Sequence, residues 1–294
     1  MGTPPTPDLV REDLAMGSLD GKVAFITGAA RGQGRNHAVR LAERGVDIIA
    51  LDINRSIETV PYAGPTAADL AETARQVEAA GRRIVAREAD VRDHDAVRAV
   101  VDEGVAEFGR LDIVIPNAGI ASTSPVREMS GAMWHDMIDT NLNGAFHAVS
   151  SALPHLKADG SGGCIVLVGS VASFKGIPNL IHYNAAKHGI VGVMKTLAAE
   201  LGPERIRVNA VCPGNVGTEM VVNEHIMKLF MPDLEHPTRE DAEDPDSAYV
   251  AANSIPIPWL DVDDVTNAIL FLVSDEARYI TGVAMPVDAG FLLK

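Results

Sequence analysis

TGAARGQG, Thr27 to Gly34, follows the aliphatic run VAFIT and opens a segment of helical period. Its glycines are spaced G-x-x-x-G-x-G, at Gly28, Gly32 and Gly34. A missing β-carbon permits a tight turn and lets backbone N–H groups approach a pyrophosphate lying on the helix N-terminus. The spacing differs from the commoner G-x-G-x-x-G fingerprint, and an isolated glycine turn also serves as an ordinary strand-to-helix connection. The strand-turn-helix setting is what points to a dinucleotide. Arg31 and Gln33 share the turn and join the candidates for holding a cofactor.

Outward from this turn, short apolar runs alternate with helix-period segments. The runs are KVAFIT, VDIIAL, RIVAREA, DIVIPN, CIVLVGS, IRVNAVCP and VAMPV. Being continuously apolar, they suit parallel strands covered on both faces. Helices are predicted over Gly34 to Arg44, Thr66 to Ala80, Asp93 to Phe108, Gly131 to Leu156, Tyr183 to Leu201 and Asp261 to Ser274. Thr66 with Asp69 reads as a capping box that starts the second helix. Right-handed crossovers wind this pattern into an α/β, Rossmann-type doubly wound sheet of seven parallel strands with helices on both faces. One domain is expected over 19–294, preceded by a mobile tail from Met1 to Ser18.

Composition narrows the function classes. The 294 residues are 47% hydrophobic but only 4% aromatic, and the formal net charge is −15. Such an acidic chain is a poor partner for nucleic acid or an anionic membrane, which need concentrated basic surface. The two cysteines, Cys164 and Cys212, sit in apolar runs. That argues against a disulfide framework and for a cytoplasmic setting. The nine histidines show no metal-type pairing, so no metal is expected.

The second strand ends in Asp52, eighteen residues after Gly34. A carboxylate there can accept both ribose hydroxyls of an adenosine and repel a 2′-phosphate, favouring NAD over NADP. Arg31 and Arg55 nearby are cations able to pair with such a phosphate. Asp90, closing the third strand, either accepts from the adenine amino group or, like Asp93, caps the next helix. PNAG, with Asn117, Ala118 and Gly119, ends the fourth strand at the same sheet edge. Ile53 and Val91 complete this part of the candidate cofactor wall.

Ser170 closes the fifth strand, and thirteen residues later comes YNAAK, Tyr183 to Lys187. Tyr and Lys at i and i+4 share a helix face. Bringing a phenol from a pKa near 10 to about 7 takes roughly 4 kcal/mol. One cation about 4 Å away at an effective dielectric of about 20 supplies that order of energy. Tyr183 is then a general base for an alcohol proton, with Ser170 orienting the substrate oxygen.

TGAARGQG, PNAG, NLNG, Ser170 with YNAAK, and NAVCPGNVGTEM occur in the order seen in the short-chain dehydrogenase/reductase family, and the chain resembles it from about Leu19 to Lys294. The resemblance implies that Asn141 in NLNG joins Ser170, Tyr183 and Lys187 as a tetrad, holding a water that relays protons from Lys187. It also implies that Asn117 supports the central strand and Lys187 bonds the nicotinamide ribose. Pro213, Gly214, Val216 and Thr218 would surround the carboxamide and phosphates. Family members are often tetramers, built through the helices here predicted at Gly131 to Leu156 and Tyr183 to Leu201. PNAG departs from the more usual NNAG, and Pro116 lacks an N–H for the strand.

Ile53 to Leu70, INRSIETVPYAGPTAADL, is long for a strand-to-helix connection, typically about 2 to 6 residues. With IETVPY and the downstream AETARQVEAAGRRIVAREADVRD, it resembles the mycofactocin-associated, carveol dehydrogenase-like subgroup. Such enzymes hold NAD without exchanging it and have it reoxidised in place by a peptide-derived carrier. The insertion, residues 53–65, is expected to set Ile57, Val60, Pro61 and Tyr62 as a wall over the adenosine; a surface decoration or subunit contact is the alternative. Met220, Val221, Ile226, Met227, Phe230 and Met231, within the lid region 216–260, form either an apolar cover for a terpenoid or alicyclic alcohol or a helix packed on the body. The acidic stretch Pro232 to Ser247 is expected to flank that lid or to order only in an oligomer, without packing a core, and Trp259 anchors its end. His182 either tunes Tyr183 or merely packs. Two other functions fit the same fold: a reductase of 3-oxoacyl thioesters, which would want a basic entrance, and a noncatalytic NAD-binding sensor.

Overall fold

In a computed structural model the chain is described over residues 19–156 and 162–294. The proposed tail, Met1 to Ser18, lies outside these residues. Alternation along each strand builds the layers. In β1 (Val23–Thr27) Val23 and Phe25 enter one apolar cluster while Ala24 and Ile26 enter another. β2 (Asp47–Asp52) divides in the same way, Ile49 and Leu51 against Ile48 and Ala50. A strand with both faces buried has no polar side to show, which is why these runs read as continuously apolar.

β3 (Ile84–Glu88), β4 (Ile113–Ile115), β5 (Gly163–Val168), β6 (Ile206–Pro213) and β7 (Ala284–Val287) complete the sheet in the order β3-β2-β1-β4-β5-β6-β7. Every pairing is parallel. α1 (Gly32–Ala42) and α10 (Val262–Val273) cover one face; α3 (His94–Phe108), α5 (Gly144–Ala152) and α6 (Ile181–Leu201) cover the other. The chain reverses direction across the sheet between β1 and β4. Such a switch point opens a crevice beyond the strands' carboxyl ends.

α2 (Ala67–Ala79) starts where the capping box places it, with both Thr66 and Asp69 bonds formed. The helix predicted from Gly131 to Leu156 is instead α4 (Gly131–Ile138), a π-helical turn (Asp139–Asn143) and α5, ending at Ala152. The buried Asn141 side chain accepts from Ile120 N–H and donates to Ile120 C=O, at 2.8 and 2.9 Å. Spacing along a helix does not reveal such a tie, and π turns gather at functional sites.

α7 (Glu224–Phe230), α8 (Arg239–Glu243) and α9 (Ala248–Ala251) follow β6. Here the acidic stretch differs from expectation. Ala242 is fully buried and joins Met227, Met231 and Tyr249 in a third small core. Its charges point outward while one alanine and the flanking aromatics pack inward. Trp259 does anchor the segment, edge-on to Tyr249.

His37 of α1 is fully buried; its Nδ1 bonds Thr266 Oγ1 of α10 at 2.8 Å, and its Nε2 has no partner among the described residues. Burial pushes its pKa down to about 3. The native state therefore binds fewer protons than the unfolded chain between pH 6.5 and about 3. Stability is fully present above 6.5 and falls as pH drops, by up to about 1.4 kcal/mol per pH unit. His37→Gln is expected to flatten that part of the acid limb in urea titrations at stepped pH. An unchanged slope would place the acid sensitivity elsewhere.

Candidate active site

The glycine turn fits its neighbours closely. Gly28 has φ +67° and Gly32 φ +54°, the left-handed region that favours glycine. A β-carbon on Gly34 would lie 2.0 Å from the Gly28 carbonyl oxygen and 2.7 Å from Asn117 Nδ2. Asn117 Nδ2 donates to the carbonyls of Thr27 and Gly28, and the N–H groups of Asn117 and Ala118 both donate to Thr27 Oγ1. The side chain expected to support the central strand thus ties β4 to β1, beside Pro116.

Asp52 lies at the rim of the crevice. Its carboxylate accepts from Ala30 N–H at 2.8 Å and Ile53 N–H at 2.7 Å. Burial raises its pKa above the ordinary carboxylate value, and these two bonds oppose the rise. The two cations considered for a 2′-phosphate are both engaged: Arg31 donates to Ala63 C=O, and Arg55 pairs with Asp90 at 2.9 Å. Asp90 also pairs with Arg92 at 2.8 Å. Burial alone would raise its pKa, but Arg92 and Arg55 hold it below the usual range. The helix cap falls to Asp93, which accepts from Ala96 N–H.

The insertion runs the length of the crevice. Arg55 holds Asp90; Arg92 bridges Asp90 to Asp136; and Asp136 accepts from Thr59 Oγ1 at 2.7 Å, returning the network to the insertion. Ile57, Val60 and Tyr62 line the crevice, whereas Pro61 is exposed and forms no part of the wall. Tyr62 does not stop at the adenosine end either. Its phenol oxygen accepts from Ala121 N–H at 3.1 Å, beyond β4. A loop without periodicity carries no signal of which way its tyrosine points.

At the other end, Ser170 follows β5, and α6 carries Tyr183 and Lys187 one turn apart. Lys187 Nζ donates to Val168 C=O at 2.9 Å and lies 5.6 Å from the Tyr183 ring centre. The expected lowering of the phenol pKa is not what this surrounding produces. Burial raises Tyr183, offset in part by the Ser170 hydroxyl, and burial pushes Lys187 down to about 8. A wall that desolvates both groups penalises both charged forms. The sequence marks Cys212 only as apolar, yet its thiol sits behind the set, engaged by Ser170 N–H and Ser173 Oγ.

One cavity spans both ends. Its wall includes Gly28, Arg31, Gly32, Gln33, Gly34, Asp52, Ile53, Asp90, Val91, Asn117, Ala118 and Gly119, then Ser170, Tyr183, Lys187, Pro213, Gly214, Val216 and Thr218. Asn141 is off this wall, behind Gly119 and Ile120, with its side chain occupied by Ile120. Of the lid residues, Met220 and Val221 reach the cavity, while Met227 and Met231 pack into the third core. His182 is packed against Ser122 Oγ at 3.0 Å.

A dinucleotide-type crevice with Ser, Tyr and Lys at one end defines a class of nucleotide-dependent redox proteins. Comparison with known proteins narrows the class. The short chain dehydrogenase family model matches residues 22–228, and the chain belongs to that family. A relative named (-)-trans-carveol dehydrogenase, from Rhodococcus erythropolis, is 50% identical over 280 residues, 95% of this chain and 100% of the relative. The crystal structure of a carveol dehydrogenase from Mycobacterium avium in complex with NAD is 51% identical, with a TM-score of 0.91 over 95% of this chain and 100% of that one. A short chain dehydrogenase from Mycobacterium paratuberculosis bound to NAD gives 42% identity and a TM-score of 0.86, again covering 95% and 100%.

Proposed function

We propose that the protein is an NAD-dependent oxidoreductase that interconverts an apolar secondary alcohol, of terpenoid or alicyclic type, and its ketone. The observation that carries this reading is the single cavity bordered by the glycine turn at one end and by Ser170, Tyr183 and Lys187 at the other. The residues present suit the dinucleotide. Gly28 and Gly34 leave a cradle that a β-carbon would fill, and Gln33 Oε1 and Thr140 Oγ1 are buried on the cavity wall without partners among the described residues. Asp52, with Arg55 already paired to Asp90 and Arg31 tied to Ala63 C=O, favours ribose hydroxyls over a 2′-phosphate. The names of the relatives agree with NAD and with this substrate class.

NAD held along this cavity would supply the acceptor or donor of the hydride at the carbinol carbon. The chain's own residues handle the oxygen. In reduction, Tyr183, kept protonated by burial, gives its proton to the ketone oxygen while Ser170 holds that oxygen; in oxidation Tyr183, once ionised, takes the alcohol proton. Lys187, fixed by Val168 C=O, offers its remaining N–H donors to the nicotinamide ribose and its charge to an ionised phenol. Asn141, its side chain taken by Ile120, holds the chamber floor. Any relay water is then left to the backbone of its π turn.

We further infer that NAD stays bound between turnovers, under the insertion, and is reoxidised in place by mycofactocin. The four anchors of the insertion along the crevice, at Arg31, Asp90, Ala121 and Asp136, support this, because added contacts act chiefly on dissociation. A cytoplasmic homotetramer fits two unbridged cysteines and the exposed Trp134, Phe146 and Ile181 on α4, α5 and α6. The acidic flank disfavours a thioester carrier, and the complete Ser170, Tyr183 and Lys187 set disfavours a sensor.

Protein purified without added nucleotide is expected to release about one NAD per chain on heat denaturation and to oxidise trans-carveol with an artificial acceptor, not with free NAD. Turnover with free NAD alone would leave an ordinary dehydrogenase and remove the captive-cofactor reading.

A further inference from the structure

Four consecutive residues after β4 each hold a different part of the molecule. Ile120 is bonded through its backbone to Asn141, and Ala121 N–H donates to Tyr62 of the insertion. Ser122 bonds His182 of α6 at 3.0 Å, and Thr123 Oγ1 bonds His225 of the lid helix α7 at 2.7 Å. The insertion, the helix carrying Tyr183 and the lid therefore meet along one edge of the chamber. This edge is the substrate end, and Tyr62 is how the insertion reaches it.

The Tyr62 oxygen already accepts a hydrogen bond from Ala121 N–H, so its own O–H points elsewhere. Among the described residues that O–H has no acceptor, although the side chain lines the same cavity as Tyr183. Burial, with a smaller contribution from Tyr183, pushes its pKa up to about 12, so it stays a donor across the physiological range. A buried donor without an acceptor is costly, and native structures rarely leave one unmatched. A ligand oxygen in the shared cavity would be such an acceptor. Arg31 of the glycine turn bonds Ala63 beside Tyr62, but the hydroxyl itself is turned past β4 to Ala121, on the side of Tyr183 and the substrate.

We propose that Tyr62 is a specificity-determining residue whose hydroxyl donates a hydrogen bond to an oxygen of the substrate, so that the insertion serves the substrate as well as the cofactor. This rests on the alcohol–ketone reading above. Tyr62→Phe keeps the ring and removes only the hydroxyl.

With trans-carveol as probe and an artificial acceptor, the variant is expected to show KM raised about three- to tenfold, the worth of one neutral hydrogen bond. Its kcat stays within about twofold and NAD is retained by the three remaining anchors of the insertion, while the Ala121 N–H left without its acceptor lowers the melting temperature by about 2 to 4 °C. Calorimetry of carvone binding to the NAD-loaded protein should weaken by the same factor. Wild-type turnover with an unaltered KM and carvone affinity in the variant would overturn the assignment. So would loss of NAD at constant KM, which gives the hydroxyl to the cofactor. Wild-type protein that neither oxidises carveol nor binds carvone would instead overturn the alcohol–ketone reading, and this assignment with it.

Discussion

Tyr183→Phe is expected to lower turnover of trans-carveol by about 10²- to 10⁴-fold, the usual worth of a positioned acid–base group. The ring still packs beside Lys187, so bound NAD and the unfolding midpoint should be retained. A phenol that burial holds above its ordinary pKa is a ready proton donor and a reluctant base. Wild-type ketone reduction should therefore persist at neutral pH, while alcohol oxidation climbs as pH rises and more phenol ionises. The variant's residual rate should lose that climb. Stopped-flow absorbance of the bound nicotinamide over a pH series separates the two directions; a variant with wild-type rates would move the acid–base role off Tyr183.

Gly34→Ala carries the second large effect. Its β-carbon would stand 2.0 Å from the Gly28 carbonyl oxygen, both atoms in backbone geometry fixed by β1, α1 and Asn117. No side-chain rotation relieves that contact, so the turn itself must shift. A loss of stability of about 1 to 3 kcal/mol is expected for such overpacking. The protein should also purify largely free of NAD, because the displaced N–H groups are those that would face the pyrophosphate. Gly192→Ala on α6 is the control: its β-carbon meets nothing within 4 Å, and alanine there should be neutral or stabilising. Equal NAD content in both variants would separate the turn from cofactor binding.

What could be read from the residues was whatever a local spacing encodes. Alternation placed seven strands, Thr66 and Asp69 placed a helix start, and the four-residue step from Tyr183 to Lys187 placed two groups on one face. Groups brought together from distant segments left no such trace. Asn141 in the π turn binds Ile120 across the fold, and Tyr62 meets Ala121 from an aperiodic loop. The direction of the Tyr183 shift also escaped, since a pairwise charge argument contains the lysine but not the surrounding wall that weakens both partners. The lid divided between cavity and core for the same reason: its apolar residues look alike until Ala242 and Tyr249 claim some of them.

The edge from Ile120 to Thr123 separates two kinds of freedom. Ile120 and Ala121 hold their partners through backbone atoms alone, whereas Ser122 uses its hydroxyl and Thr123 its hydroxyl together with its N–H. Changing side chains at the first two positions leaves every tether intact, so the shape read by an incoming molecule can drift there without loosening the scaffold. Changing Ser122 removes its tie to α6 and changing Thr123 leaves α7 on the N–H bond alone, and adding or deleting one residue would hand all four tethers to the wrong neighbour.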